Sequence, residues 1–598
     1  MRRVPRPPDS ALPTLPPRAG PVVLAATGAA LYVWTWGSWP DVLVDFGREL
    51  YTPWRLTEGE VLYRDIAWFN GPLSAYVNAL LFLMTGPSLG ALTSLNLGLL
   101  ALAVTLIYRL TLQLSDNVAA TGACLVFLTV FGFGQLVGIG NYNWIAPYSH
   151  ELTHGIVLAL LAVSALRTWG GVRSDAWVLA AGLFVGLAFL TKPEPFLAAL
   201  VASGILLAFD PGGRGRRARP AATFTVGALA PPLAALLLMA GPLPLGAALR
   251  AVLGGWPYVV GGEVGDLLFY RVGMGLDQPM ERLMALLWSA AGWAAALLPA
   301  LFLGFALRAG TSAARWAAFA VAALEVAVLL VLADRIHWLQ AARPLPLFVL
   351  IIAVTALASS GRNEERRTET LTLALAGMSF VLLLKMLLNA RVAHYGFGLA
   401  MPATMLTVVA LVGWLPALLQ RRGAAGNVLR AASLGLLAVG CAAHLMTAAE
   451  LIGRKTALVG SGADVLRADV RGLYVRDALA ELEARLTPAG TLAVLPEGVM
   501  LNYLARRENP TPYLSFMPPE MAFFGERSMM EAFRMSPPDA VVLVHKDTSE
   551  YGYPLFGQDY GEELYSWLRA TYVSILTIGS PPLQPGTAFG VEVLMRRD

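Results

Sequence analysis

The sequence predicts a polytopic α-helical membrane protein with a small soluble α/β domain at its C-terminal end. Three observations carry this expectation. Of 598 residues, 56% are hydrophobic and only 14% are charged, with a mean hydropathy of +0.60. That is too little charge to cover the surface of a soluble chain of this size. Apolar runs of roughly 17–25 residues recur along the chain, the length a helix needs to cross a bilayer. From about residue 450 the runs stop and the composition becomes that of an ordinary soluble domain.

The chain opens on "MRRVPRPPDSALPTLPPRAG", basic and proline-rich, followed by an apolar window at 21–36. No A-x-A-like cleavage site follows it and many spans come later, so a retained signal anchor is expected. Further apolar windows lie near 88–112, 117–137, 153–168, 175–190, 195–209 and 221–240, then near 283–306, 316–333, 345–359, 370–388, 398–418 and 430–448. About thirteen spans result. Alternate loops hold the arginines: "RTWGGVRSD" (167–175), "GGRGRRAR" (212–219), "RAGTSAARW" (308–316), "GRNEERR" (361–367) and "QRRG" (420–423). With the basic N-terminus, these define the cytoplasmic side. Residues 1–20 are then a cytoplasmic tail, 21–449 a membrane domain, and 450–598 an extracytoplasmic α/β domain. The net charge of +4 and pI near 9.0 follow from those loop arginines, and nucleic-acid binding is not expected.

In the terminal domain, "TLAVLPEG" (491–498), "DAVVLVHK" (539–546) and "GVEVLMRR" (590–597) read as strands. "VRDALAELEARL" (475–486) and "GEELYSWLRATY" (561–572) read as helices. "VGSGAD" (459–464) lacks the third glycine and the strand-to-helix setting of a dinucleotide site. Cys124 and Cys441 fall inside apolar runs, which argues against a disulfide framework or a CxxC zinc site.

The outer loops are the chemically rich ones. They hold four of the six histidines, all but His444 and His545. In "DVLVDFGRELY" (41–51), in the first outer loop (37–87), a surface helix would put Asp45 and Glu49 at i,i+4 on one face, with Arg48 beside them and Arg55 further along. Charges facing water on an interfacial helix explain the same pattern more plainly. Residues 74–84 form an apolar run too short to span. "YSHELTHG" (148–155) places His150, Glu151 and His154 within one helical turn at the mouth of a span, a spacing that suits a divalent metal ion. The string also satisfies the H-E-x-x-H pattern of zinc proteases, but no third ligand is identifiable. "FLTKPEPFL" (189–197) sets Lys192 and Glu194 at a break between two spans, where charge is costly unless it faces a polar site. A tight hairpin with Lys192 reaching to headgroups is the alternative. Arg335 and His337, and Arg391, His394 and Tyr395, stand at outer helix ends. Singly they read as interfacial anchors; together they would form a phosphate-binding wall.

The stretch "DFGRELYTPWRLTEGEVLYRDIAWFNGPL" after the first span, together with "GLAFLTKPE", resembles the GT-C-type membrane glycosyltransferases of family 39. These include the protein O-mannosyltransferases and the lipid A aminoarabinose transferases. The resemblance covers roughly residues 20–420. It implies a catalytic aspartate in the first outer loop, at the position of Asp45. The chain departs from the family in having Glu49 a turn away rather than an adjacent acid, and "NGPL" (70–73) in place of a His-Pro-Pro-Leu stretch. The terminal domain matches these relatives poorly.

The resemblance further implies a sugar donor carried on a polyprenyl phosphate in a bacterial inner membrane, and a glycan, lipid or protein acceptor on the outer side. Asp45 would take the acceptor proton as general base. Lys192, Arg391 and one of Arg48 or Arg335 would hold the phosphate. Arg48, Glu49, Arg55, Lys192, Glu194, Arg335, His337, Arg391, His394 and Tyr395 are the expected substrate-facing set, with His150, Glu151 and His154 as the metal set. A lipid-linked glycan transporter is the competing expectation. It would want charges near mid-membrane and repeat symmetry, and neither is evident.

Overall fold

The computed structural model describes residues 12–209, 218–257, 262, 264–358 and 363–597. Residues 1–11, most of the arginine-rich loop at 212–219 and the start of the loop at 361–367 lie outside the described residues.

Every one of the thirteen apolar windows falls in a helix. They are α1 (Ala19–Trp34), α4 (Leu89–Leu114), α5 (Asn117–Gly132), α6 (His150–Val172), α7 (Asp175–Phe189), α8 (Pro193–Phe209), α9 (Ala218–Met239), α12 (Pro279–Ala306), α13 (Ser312–Val331), α14 (Leu345–Ala358), α15 (Asn363–Leu383), α16 (Gly396–Arg421) and α17 (Gly426–Gly453). Among the described residues, nine helical segments are long and apolar enough to cross a membrane, and α1, α5, α7 and α8 are shorter apolar helices. The chain is a multi-pass helical membrane protein. Trp288, Phe302, Trp316, Phe319 and Val331, on α12 and α13, stay exposed, which a lipid environment tolerates and water does not.

Helix starts follow local chemistry. Ser88 caps α4 by accepting from the Ala91 N–H at 3.1 Å, and Asp116 caps α5 through the N–H groups of Val118 and Ala119. Asp116 also pairs with the buried Arg430 of α17, tying two spans together.

The loop between α1 and α4 holds α2 (Phe46–Thr57) and α3 (Leu73–Thr85). The helix expected over 41–51 therefore begins only at Phe46. The reason is Asp41, whose carboxylate accepts from the N–H groups of Leu43 and Val44 at 3.0 Å each. That local turn competes with helix and delays its start by five residues. Two small helices, α10 (Leu245–Leu253) and α11 (Leu268–Met274), stand in the loop between α9 and α12.

Beyond α17 come a two-stranded antiparallel sheet, β1 (Ala457–Val459) with β2 (Leu466–Ala468), and a four-stranded mixed sheet. The mixed sheet has the order β3 (Leu492–Leu495), β4 (Ala540–Val544), β6 (Gly590–Arg596), β5 (Tyr572–Gly579). β3 and β4 are parallel, and β4–β6 and β6–β5 are antiparallel. Helices α18 (Arg471–Arg485), α19 (Met500–Ala505), α20 (Pro518–Phe524), α21 (Glu526–Met535) and α22 (Glu562–Thr571) complete the domain. Every residue of β3 and β4 is buried, because both sheet faces are covered. Ala493, Leu495, Val541 and Leu543 pack on Phe516, Met529, Phe533 and Leu564. The opposite face, with Val494, Val542 and Val544, joins the same continuous core as α2 and the spans behind it. The terminal domain is thus seated on the membrane domain. At Gly47 of α2 a Cβ would lie 2.3 Å from the Met500 nitrogen, so only glycine allows α2 to touch the start of α19.

Candidate active site at the loop after the first helix

The site is built around the turn that begins α2. Asp45 has φ 56° and ψ −57°, and the Phe46 N–H donates to the Val44 carbonyl at 2.6 Å. This is a γ-turn of the rare positive-φ form, which costs a non-glycine residue about 1–3 kcal/mol and persists only where surrounding contacts fix it. Asn141 supplies one, donating through Nδ2 to the Val44 carbonyl at 2.8 Å. Glu497, from the loop after β3, supplies another by accepting the Asp45 N–H at 3.0 Å.

Arg48 stands between the two acids of its helix. Its guanidinium is 3.7 Å from Asp45 and 3.5 Å from Glu49, and it donates to the Tyr148 carbonyl at 3.0 Å. It also lies over the rings of Phe69 and Trp68, at 5.4 and 6.0 Å from their centroids. Glu49 turns away into the protein. Its Oε2 is 2.6 Å from Nδ1 of His150 and also accepts the His150 N–H, at the N-terminus of α6. Asn96 Nδ2 meets Nε2 of His150 at 2.8 Å, so Nε2 is the acceptor and Nδ1 carries the proton toward Glu49.

Lys192 reaches the same place from the break between α7 and α8. The break is pinned by the "NGPL" stretch: the Gly71 N–H donates to the Thr191 carbonyl at 2.9 Å and the Leu73 N–H to Leu190 at 3.1 Å. A Cβ on Gly71 would lie 2.1 Å from the Leu190 oxygen, so this contact requires glycine. Lys192 is 9% exposed, 3.5 Å from the Tyr148 hydroxyl and 4.9 Å from the centroid of its ring. Glu194 pairs instead with Lys385 at 2.7 Å, and Lys385 lies 5.1 Å from the Tyr395 ring centroid. Tyr395 in turn packs on Tyr148 at 5.0 Å, and His394 on Tyr142 at 4.1 Å. The result is an aromatic wall beside the charged groups. The charge of Asp45 is felt by Tyr142, Tyr148, Tyr270 and Tyr551 together.

The terminal domain closes the other side. Glu497 pairs with Lys546 at 3.0 Å, and both stand just beyond the carboxyl ends of the parallel strands β3 and β4. Glu520 of α20 faces Arg48, Glu497 and Asp45.

Electrostatics separates the groups. Burial, reinforced by Glu497 and opposed by Arg48, Lys546 and Lys192, pushes Asp45 up to about 7. Burial likewise raises Glu49 and Glu520 to about 7. Burial and the neighbouring Lys385 bring Lys192 down to about 8. An acid poised near neutrality beside three cations suits proton abstraction coupled to departure of an anion.

The sequence-predicted residues thus divide. Asp45, Arg48, Glu49 and Lys192 come together, with Glu194 and Tyr395 joined to them through Lys385 and Tyr148. Arg391 stands behind His394 with its Nε buried and unpartnered. His394 does not serve as a cation of the expected wall, because burial and the nearby Arg391 and Lys385 push its pKa down to about 3. Arg55 is elsewhere: it pairs with Glu60 at 2.7 Å and Glu508 at 2.8 Å, joining the loop to the terminal domain. Arg335 and His337 are exposed in the turns after α13. His337 lines a cavity of about 520 Å³ among α12, α14, α16 and α17, walled by Trp288, Trp293, Trp338, Leu345, Thr407 and Leu436 and reaching Val392 beside Arg391.

The expected metal set is only partly engaged by other groups, since His154 Nε2 and Glu151 Oε1 are buried without a hydrogen-bond partner. Both ring nitrogens of His150 are engaged, His154 Nδ1 meets the Ser74 hydroxyl at 3.0 Å, and Glu151 accepts from Ser149 at 2.6 Å. Among the described residues no three such side chains converge on a metal position.

Glu497, Glu520, Lys546, Tyr142, Tyr148, Asn96 and Lys385 were not expected from the sequence. The readable signal for two of them is "LPEG" and "LVHK", acid and cation placed directly after buried strand runs.

No protein-family model and no curated protein matches the chain. Among solved structures, ArnT from Cupriavidus metallidurans bound to undecaprenyl phosphate aligns over 97% of this chain and 98% of its own, at 13% identity and a TM-score of 0.44. The oligosaccharyltransferase AglB from Archaeoglobus fulgidus, in complex with an inhibitory peptide and a dolichol-phosphate, aligns over 96% of this chain and 74% of its own, at 14% identity and 0.45. The apo Archaeoglobus fulgidus oligosaccharyltransferase covers the same shares at 15% identity and 0.47.

Proposed function

We propose that the protein is an integral-membrane glycosyltransferase that moves a sugar from a polyprenyl-phosphate donor to a hydroxyl acceptor on the extracytoplasmic face of a bacterial inner membrane. The observation that carries this reading is Asp45, an acid lifted to about 7 and ringed by Arg48, Lys192 and Lys546. An acceptor hydroxyl is a poor nucleophile until its proton is removed, and Asp45 is the group poised to remove it. The acceptor oxygen bonds to the anomeric carbon, the bond from that carbon to the phosphate oxygen breaks, and the proton passes to Asp45. The leaving phosphate gains negative charge, which Lys192 and Arg48 stabilise from fixed positions.

Further support comes from the aromatic wall of Tyr142, Tyr148 and Tyr395, whose faces suit the apolar face of a sugar ring. The largely apolar cavity lined by Arg343 and Val392 offers room for part of a polyprenyl chain. No step of the reaction is assigned to a metal, since among the described residues no three candidate ligands converge on one position.

The test is turnover by the purified full chain in nanodiscs with a series of polyprenyl-phosphate-linked sugars, reading released polyprenyl phosphate and glycosylated product by mass spectrometry. Sugar transfer that is lost in Asp45→Asn supports the reading. Translocation of lipid-linked glycan without any covalent transfer would overturn it in favour of a transporter.

A further inference from the structure

The turn that presents Asp45 is held by a residue from the other end of the chain. Asp45 stands at φ 56°, a conformation that a non-glycine residue keeps only under constraint. Its N–H cannot join the ladder of α2 and donates to Glu497 Oε1 at 3.0 Å. The other oxygen of Glu497 is held by Lys546 at 3.0 Å. Side-chain exposure is only 12% for Glu497 and 18% for Lys546, so water cannot readily replace either partner. The scaffold beneath is rigid, because both residues follow directly on the buried parallel strands β3 and β4. Gly47 against Met500 fixes how closely that scaffold approaches α2.

We infer that Glu497, anchored by Lys546, is a positioning residue that locks the Asp45 turn, so that the C-terminal domain completes the catalytic centre. Without the Glu497 carboxylate, the Asp45 N–H loses its acceptor and the turn loses one of the contacts that oppose its strain. The Asp45 carboxylate then swings from the line of attack. The inference rests on Asp45 being the base. It also assigns the terminal domain a task that binding alone does not require.

The experiment compares Glu497→Ala, Glu497→Gln and Lys546→Met with the unaltered chain, in nanodiscs with a polyprenyl-phosphate-linked sugar that supports turnover. Loss of a hydrogen bond to a charged group predicts a fall in kcat of about 10- to 100-fold for Glu497→Ala, with donor KM little changed. Glu497→Gln keeps an oxygen for the Asp45 N–H and recovers most of that loss. Lys546→Met keeps the Glu497 oxygen that accepts the Asp45 N–H but removes its anchor and a cation that lowers the Asp45 pKa, so kcat falls less than in Glu497→Ala and the acid limb of the pH–rate profile moves upward. The groups facing Asp45 besides these two are Arg48 of α2, Lys192 of the α7–α8 break, Glu520 of α20, and Tyr142, Tyr148, Tyr270 and Tyr551, all left in place. A Glu497→Ala enzyme with unaltered kcat overturns the inference, as does a Glu497→Gln enzyme no better than Glu497→Ala. If Glu497→Ala does not fold, a Glu497→Gln kcat near that of the unaltered chain with an upward-shifted Lys546→Met profile supports the inference, and an unshifted profile overturns it. Normal turnover in Asp45→Asn would instead sink the assignment of the base and leave the turn without a catalytic purpose.

Discussion

The N–H of Asp45 donates to the carboxylate of Glu497, 452 residues further along the chain, at 3.0 Å. One end of that bond belongs to the strained first turn of α2, and the other to a loop after a buried strand. The place where the membrane domain and the terminal domain meet is therefore also the place where the proposed proton-accepting acid sits. Substitution of Asp45 by asparagine keeps the side-chain size and removes the base. Turnover of a polyprenyl-phosphate-linked sugar should fall about 10²–10⁴-fold, the range that general-base catalysis supplies. Binding of polyprenyl phosphate, read as a thermal shift, should persist, because its cations are intact.

The pH dependence should be bell-shaped. Burial raises Asp45 to about 7, and it works only when deprotonated, so kcat/KM should climb as pH rises through about 7. Burial and Lys385 lower Lys192 to about 8, and it holds a phosphate only when protonated, so kcat/KM should decline again above about 8. A profile flat from pH 6 to 9 would contradict both assignments.

Lys192 has no carboxylate partner of its own within 4 Å among the described residues; Glu194, its close neighbour, is taken by Lys385. Its charge is left for a ligand. Lys192→Met should raise the donor KM by about 10- to 100-fold, the loss of one charge-assisted bond. A smaller effect on kcat is expected, since Arg48 remains beside the leaving group. An unchanged donor KM would remove Lys192 from the phosphate site.

The apolar helices were legible because lipid demands apolar side chains over a fixed length: each of the thirteen windows overlaps a helix, and nine segments among the described residues are long and apolar enough to span. Asp45, Arg48 and Lys192 were legible for the complementary reason: charge against a bilayer is costly and stands out. Glu497 and Lys546 were not, because charge in a soluble domain is ordinary, and only the docking of α19 on α2 shows which charges meet the site. The start of α2 was misplaced because the Asp41 side chain folds back onto Leu43 and Val44, a choice that helical periodicity does not encode. Arg55 was placed with the substrate beside its loop neighbours, yet it pairs with Glu60 and with Glu508 of the docked domain.

That docking has its own ion pair, which gives the last prediction. Asp41 is 2% exposed, accepts the Leu43 and Val44 N–H groups, and pairs with Arg471 of the terminal domain at 2.7 Å. Lys455 closes the other side by donating to the carbonyls of Ser38 and Pro40. Burial alone would raise the Asp41 pKa, but Arg471, the two N–H groups and Lys455 outweigh it and hold the carboxyl below its ordinary value. A depressed acid stabilises the fold fully above its unfolded value near 4, and this contribution is lost as pH falls through the lower folded value. At neutral pH, Asp41→Ala should therefore destabilise the docked arrangement by about 1–3 kcal/mol, because the Leu43 and Val44 N–H groups lose their acceptor while the half-buried Arg471 keeps Asp469. Limited proteolysis of the full chain at pH 7 checks this. Cleavage near the junction after α17 should accelerate in Asp41→Ala, and sugar transfer should fall with it, since Glu497 can reach Asp45 only while the domain stays seated.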